Sequence, residues 1–392
     1  MRTRFLVLAI GLSGANVSSA IAQAGGAVIE YPSSTETRRL SDNALRVDIG
    51  GSGGIEFHRI VAILPAQHGA FIVVNGSTNE LRFFDAAGRL TSTAGRRGAG
   101  PGEYANIRGI GRLSGDSIAV FDPGGNRRVS ILDPAGKFIR SFRLEAPWDG
   151  GGSATRMIAS NNGTVLVGYS EIRTMTPRPE AAYFGQRLFP YSTTGELRSM
   201  NGLVLPESEY FVQATTPTMG GVAYWDLAFG RVMTVRATGG SLFVGDGSEW
   251  TIEQRTATGV VSAIHRVHRS PAPVTTVDKK AWSKDAMAGD QGAQRAISER
   301  MVAEMPWPKT KPAYRRFETD GAGHLWIESY PDIGTTQSTW IRLDPRARSA
   351  VSVLFPDRFR ALAFSANQVF GVWRDSDDVE HVRVYALEGI RN

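Results

Sequence analysis

Gly115-Asp116-Ser117-Ile118-Ala119-Val120-Phe121-Asp122 is the stretch on which the fold turns. A turn glycine opens it, a β-rich apolar run follows and an acid closes it, the composition of a short buried strand with its boundaries marked. Searching outward, the same phrase returns at Gly69–Asn75, Gly163–Tyr169, Gly240–Asp246, Gly323–Glu328 and Asn367–Trp373. Self-similarity at a fixed rhythm is the signature of a repeat architecture.

A second phrase follows most of these strands: strand, tight polar turn, strand. The turns are Asp85–Gly88, Asp133–Gly136, Ser192–Gly195 and Thr256–Gly259, with Asp344–Ala347 a degenerate fifth. Asp, Ser or Thr opens each full turn and glycine takes the positive φ, which is hairpin chemistry. Each unit then reads as four short antiparallel strands, one propeller blade. The sixth unit, Arg358–Leu387, holds three strands, while an unassigned strand, Ala44–Ile49, waits at the other end of the chain. Pairing the two closes the ring and removes open sheet edges. The expected fold is all-β: a six-bladed β-propeller of four-stranded antiparallel blades over residues 44–390, with a small helical insertion at about 275–305.

Residues 95–142 carry a resemblance. Gly95-Arg-Arg-Gly-Ala-Gly-Pro-Gly-Glu-Tyr104, then Asp122-Pro-Gly-Gly-Asn126-Arg127, then Asp133-Pro-Ala-Gly-Lys-Phe138 resemble an NHL-type repeat. The other blades keep the strand rhythm without that signature. The whole chain, insert included, is similar to exported bacterial six-bladed propellers of undefined activity. The resemblance implies the fold and leaves the activity open.

Composition narrows the function classes. No cysteine is present, which excludes disulfides, a thiol nucleophile, thiolate metal sites and a lipid anchor on cysteine. Lys and Arg exceed Asp and Glu by 44 to 38, spread along the chain rather than clustered, so no nucleic-acid face is expected. Arg2 and Arg4, the apolar run Phe5–Leu12 and the small residues around Ala20-Ile21-Ala22 read as a secretory leader. Residues 1–22 are expected to be cleaved, residues 23–43 to form an N-terminal extension, and the product to be periplasmic or secreted. No later segment is apolar enough to span a membrane.

Sorting the loops by strand order places every long insertion on one face of the disc: Glu145–Ser153, Ser170–Gly185, Pro206–Leu227, Ser270–Pro312 and Ser329–Thr339. Long loops in a compact domain carry function or disorder. Within the largest, Trp282, Met287, Ala293, Ile297 and Met301 fall near helical spacing, the stripe of a cap packed on the ring.

The first strand of each blade begins with arginine: Arg59, Arg108, Arg156, Arg231, Arg315 (or Arg316) and Arg360. A ring of guanidinium groups at the channel mouth binds carboxylates or phosphates through charge-assisted hydrogen bonds. The favoured reading is structural. An acid or amide, Asn75, Asp122, Asp246, Glu328 and Asp375, ends the second strands on the same face, and the acids can neutralise the arginines between blades. An anion site made from a few unpaired arginines is the alternative. Tyr104, Trp225 and Trp373 are the aromatics expected among the recognition residues. Six-bladed lactonases and related hydrolases hold a calcium ion in the channel; by that similarity Glu56, Asn75, Asp122, Asp246 and Asp375 are the candidate ligands here. His265 and His268 lie an odd interval apart in one strand and point to opposite faces, which argues against zinc. No Gly-x-Ser-x-Gly elbow occurs. The expectation is an exported recognition module that binds a ligand, peptide or protein partner, anionic in character, on the face of the long loops. The alternative is a calcium-dependent propeller hydrolase, lactonase or lyase.

Overall fold

A strand buried on both faces needs apolar side chains at every position, not at alternate ones. Phe71–Asn75 and Ile118–Asp122 are buried throughout, which is why the recurring phrase reads as a continuous apolar run. By contrast, Leu90–Ala94 at the rim is almost wholly exposed. The computed structural model describes residues 26–33, 36–51, 54–148, 152–160, 162–170, 182–214 and 222–390. The leader at 1–22 and the loop at 171–181 lie outside the described residues.

The chain forms a six-bladed propeller of antiparallel sheets with two helices among the described residues. Blade 1 is Ile60–Pro65, Phe71–Asn75, Glu80–Phe84 and Leu90–Ala94; blade 2 is Gly109–Arg112, Ile118–Asp122, Arg128–Leu132 and Phe138–Arg143. Blade 3 is Ser153–Ser160, Thr164–Ser170, Ala182–Ser192 and Leu203–Ala214, the last folded back on Val222–Asp226. Blade 4 is Thr234–Thr238, Ser241–Gly245, Thr251–Arg255 and Val261–Val267; blade 5 is Tyr314–Thr319, Leu325–Ser329, Thr339–Asp344 and Ser349–Leu354. Blade 6 has Phe359–Phe364, Gln368–Arg374 and Glu380–Ala386 from the C-terminal part.

Three N-terminal strands complete the last three blades: β1 (Ala27–Tyr31), β2 (Thr37–Arg39) and β3 (Leu45–Ile49). β3 pairs antiparallel with Glu380–Ala386 as the fourth strand of blade 6. β1 and β2 add in parallel to the outer strands of blades 4 and 5, as fifth strands. The extension at 23–43 is therefore partly strand. It covers two sheet edges that would otherwise offer unpaired amides.

Apolar side chains form one cluster per blade interface. Ile72 and Val74 join Ile118 and Val120 between blades 1 and 2, whereas Phe71 and Val73 face Phe370 and Val372 of blade 6. The same division recurs around the ring. The hairpin turns lock it from outside. Asp133 Oδ1 accepts the Ala135 and Lys137 amides at 3.0 and 2.8 Å, and Gly136 sits at φ +87° where a Cβ would lie 2.6 Å from the Phe83 ring of blade 1. Conformation and space both demand glycine there.

Loop lengths are lopsided as the strand order implies, except that blade 3 carries a longer connection, 193–202, on the otherwise trimmed face. On the other face stand helices α1 (Thr276–Ala286) and α2 (Gly292–Glu304). Thr275 and Asp278 form a capping box that starts α1. Met301 and Met305 bury against Phe211, Leu227 and Phe229, with Trp282 and Trp307 beside them, so the helices cap the disc. Ala293 and Ile297, expected on the buried stripe, face solvent instead. Glycine at 289 and 292 breaks the helix and resets its phase, so one spacing cannot describe both pieces.

Candidate functional site

The innermost strands of all six blades surround a central channel of about 720 Å³, a volume suited to a small molecule. Its wall is apolar along blade 1, from Val61 to Leu64, and at Ile110, Ile158, Val235 and Leu362. Six arginines line it: Arg108, Arg112, Arg156, Arg236, Arg316 and Arg360. Among the described residues only two acids, Glu318 and Asp320, do so. The balance of charge depends on which cations have partners.

Three of the six are compensated. Arg236 makes a two-pronged contact with Glu318 across the blade 4–5 interface, 2.5 Å at each prong. Burial works against its charge, but Glu318 more than offsets this and holds the pKa above the ordinary value. Arg316 reaches Glu328 at 2.7 Å, Glu318 at 3.3 Å and the Ala361 carbonyl at 2.6 Å, and lies 5.0 Å from the Trp340 ring centroid. Arg112, at the trimmed-face end, pairs with Asp116 at 2.5 Å and donates to the Pro65 carbonyl. Asp320 at that end accepts from the His324 ring, the Trp326 indole and two backbone amides.

Arg108, Arg156 and Arg360 differ. Among the described residues, none of their guanidinium groups has a hydrogen-bond or ion-pair partner. Arg156 is half-buried, and burial, with the Arg236 charge added, pushes its pKa down to about 10. Arg360 is exposed at its surface end; burial of the rest and the neighbouring Arg316 lower its pKa, against an opposing pull from the Glu380 carboxylate. Arg156 stands opposite Gly168 in its ladder and Arg360 opposite Val372, both near the insertion-face end of their strands. The unpaired cations thus lie toward the insertion end, on blades 2, 3 and 6, whereas Arg236 and Arg316 at similar depth on blades 4 and 5 are paired.

The remaining arginines of the sequence ring stand apart from the channel wall. Arg59 donates to the Gly76 carbonyl at 2.5 Å, and Arg231 is held by Glu209. Arg315 lies 3.8 Å from Glu328 while its neighbour Arg316 lines the channel. A bulge between Tyr314 and Arg316 decides which of the two turns inward; sequence parity cannot show a bulge. Arg236 and Arg112 begin no strand, so a search for strand-opening arginines passes over them.

The acids expected to neutralise the ring mostly serve loop backbone. Asn75 accepts the His58 amide at 2.9 Å. Asp122 accepts the Ala105 and Asn106 amides and the Asn126 side chain. Asp246 caps Ser248, and Asp375 caps Asp377 and Val379. Glu328 alone of the five pairs with an arginine of the channel. Asn75, Asp122, Asp246 and Asp375 were also the calcium candidates, with exposed Glu56. No three His, Asp or Glu side chains converge on a metal-sized site among the described residues.

The aromatics divide as well. Tyr104 is 0% exposed in the core between blades 1 and 2, so it presents no surface to a ligand. The glycine-rich run before it is tied down by Asn126, which donates to the Gly98 carbonyl, and by Arg128, which donates to the Ala99 and Gly100 carbonyls. Trp225 packs under the helical cap. Trp373 lies in blade 6 with the Arg383 guanidinium 3.5 Å from its ring centroid, away from the channel wall. The structure thus brings together Arg108, Arg156 and Arg360 and disperses the rest.

No protein-family model matches the chain, and no curated protein is similar to it. Among solved structures, a Bacteroides fragilis protein described as exported superposes with a TM-score of 0.52 at 11% identity, covering 92% of this chain and 99% of its own. A Bacteroides vulgatus member of the DUF4221 family superposes with a TM-score of 0.52 at 12% identity, covering 87% and 95%. Streptogramin B lyase aligns at 13% identity with a TM-score of 0.38, over 87% and 97% of the two chains. At such identities the likeness is one of fold.

Proposed function

We propose that this propeller is an exported recognition module whose channel binds an anionic ligand from the face of the long loops. The observation that carries this reading is the trio Arg108, Arg156 and Arg360, three channel-lining guanidinium groups without a hydrogen-bond or ion-pair contact among the described residues. Arg156 is half-buried without a partner, which is destabilising, while Arg108 and Arg360 stand exposed on the same channel. A carboxylate or phosphate supplied by a ligand would relieve that cost and gain bidentate, charge-assisted hydrogen bonds. The leader at 1–22 and the likeness to an exported propeller support a location outside the cytoplasm. The channel volume favours a small molecule, or one side chain of a larger partner, over a folded domain.

Thermal-shift and calorimetric titration with inorganic phosphate, citrate and acetate test the reading. The melting temperature is expected to rise with anion, and the rise to vanish in Arg108→Met combined with Arg156→Met. Arg231→Met, which removes a cation already held by Glu209, should lower stability yet keep the anion response. An anion response that survives the loss of Arg108 and Arg156 would overturn the assignment. A shift with calcium that EDTA reverses would point to an ion in the channel instead.

A further inference from the structure

In a closed ring of six blades, blades 3 and 6 are half a turn apart. Their innermost strands each carry an uncompensated arginine near the insertion-face end, Arg156 opposite Gly168 and Arg360 opposite Val372. These two cations therefore face each other across the channel. Arg108, on blade 2, stands beside Arg156 because the innermost strands of blades 2 and 3 are neighbours. One wall thus holds two free cations and the opposite wall one.

In the sectors between them the channel lining carries no unpaired cation among the described residues. On one side, Arg236 and Arg316 are spent on Glu318 and Glu328. On the other, blade 1 presents Val61, Ala62, Ile63 and Leu64. Arg59 of that blade is tied to the Gly76 carbonyl. A single anionic group on the Arg156 wall would leave Arg360 uncompensated, and the reverse holds too. Two charges separated by a neutral, partly apolar gap select for a molecule of the same layout.

We infer that the ligand is ditopic: an elongated small molecule with an anionic group at each end, one held by Arg156 with Arg108 and the other by Arg360. This rests on the anion-binding reading above and adds the geometry of what is bound. The apolar residues along blade 1 and at Leu362 would accompany the linker between the two heads. Depression of the Arg156 and Arg360 pKa values, by burial and by neighbouring arginines, is consistent with two separate points at which negative charge is wanted.

The test compares one-headed and two-headed anions on the mature chain by calorimetry in low-salt zwitterionic buffer. The probes are straight-chain monocarboxylates and α,ω-dicarboxylates of matched length, with α,ω-bisphosphonates as a second head group. One dicarboxylate or bisphosphonate length is expected to bind best, at one per chain and at least about tenfold tighter than its one-headed counterpart, because the second contact is intramolecular. Arg156→Met and Arg360→Met should each reduce the two-headed ligand to the affinity of the one-headed one. Both variants remove cations that hold nothing, so they are expected to fold, and a melting curve checks this.

Equal affinity for one- and two-headed anions, binding of two monoanions per chain with no gain from linking them, or indifference of the two-headed ligand to Arg360→Met would overturn the ditopic geometry while leaving anion binding in place. Failure of every carboxylate and bisphosphonate to bind would overturn both.

Discussion

A guanidinium group taken out of water ordinarily arrives with its partner, since removing one member of a buried pair costs about 3–5 kcal/mol. Arg236 on Glu318 and Arg316 on Glu328 follow that rule; Arg156 does not. Its pKa is lowered to about 10, chiefly by burial. The folded protein therefore holds this proton less tightly than the unfolded chain, and the charge costs stability at every pH below about 10. Arg156→Met keeps the length of the side chain and removes the charge. In anion-free buffer it is expected to raise the unfolding free energy by about 1 kcal/mol. Arg236→Met, which leaves Glu318 only its longer 3.3 Å contact with Arg316, should lower it by about 2 kcal/mol. Urea unfolding measures both. A loss of stability in Arg156→Met as large as in Arg236→Met would mean that Arg156 is structural.

β1 adds in parallel to Val261–Val267, with Glu30 contacting Arg266 and His268 at the surface and Tyr31 buried beneath. Tyr31 is 0% exposed, and its hydroxyl meets His265 Nδ1 at 2.8 Å inside the blade 4–5 core. Burial pushes the His265 pKa down to about 4. Between that value and the ordinary 6.5 the unfolded chain takes up a proton that the folded protein refuses, so stability falls as pH drops through this window. The loss should reach about 3 kcal/mol near pH 4. His265→Gln keeps a polar partner for Tyr31 and removes the titration. Urea unfolding at neutral pH and at about pH 4.5 should show a smaller pH dependence in the variant than in the parent; equal slopes would exclude His265 as the cause. The helices teach a related lesson. Their spacing was legible, but which side turned inward depended on Gly289 and Gly292 and on the Phe211–Phe229 surface beneath.

Across the whole disc, short turns gather on one face, and long loops with the unpaired channel arginines on the other. The second face therefore projects a positive field into the channel, which raises the encounter rate of anions and is screened by salt. Affinity for a channel anion is expected to fall by about tenfold between roughly 50 and 500 mM of a weakly binding salt, mainly through the association rate. Stopped-flow binding against ionic strength measures this. An association rate indifferent to salt would show that the ligand is not drawn in by charge.

The sequence by itself determined the six repeats, the closing strand, the hairpin turns and the crowded face, because each rests on local chemistry. A continuous apolar run marks a strand buried on both sides, Asp133 caps its own turn amides, and Gly136 takes a φ that other residues avoid. Only the tertiary structure decided which arginines are free. Arg236 finds Glu318 on the neighbouring blade, 82 positions away in sequence. A bulge, not parity, turns Arg316 rather than Arg315 toward the channel. The acids expected to meet the arginine ring are taken by loop amides, all but Glu328. Pairing is a property of distance in space, and the sequence orders residues only along the chain.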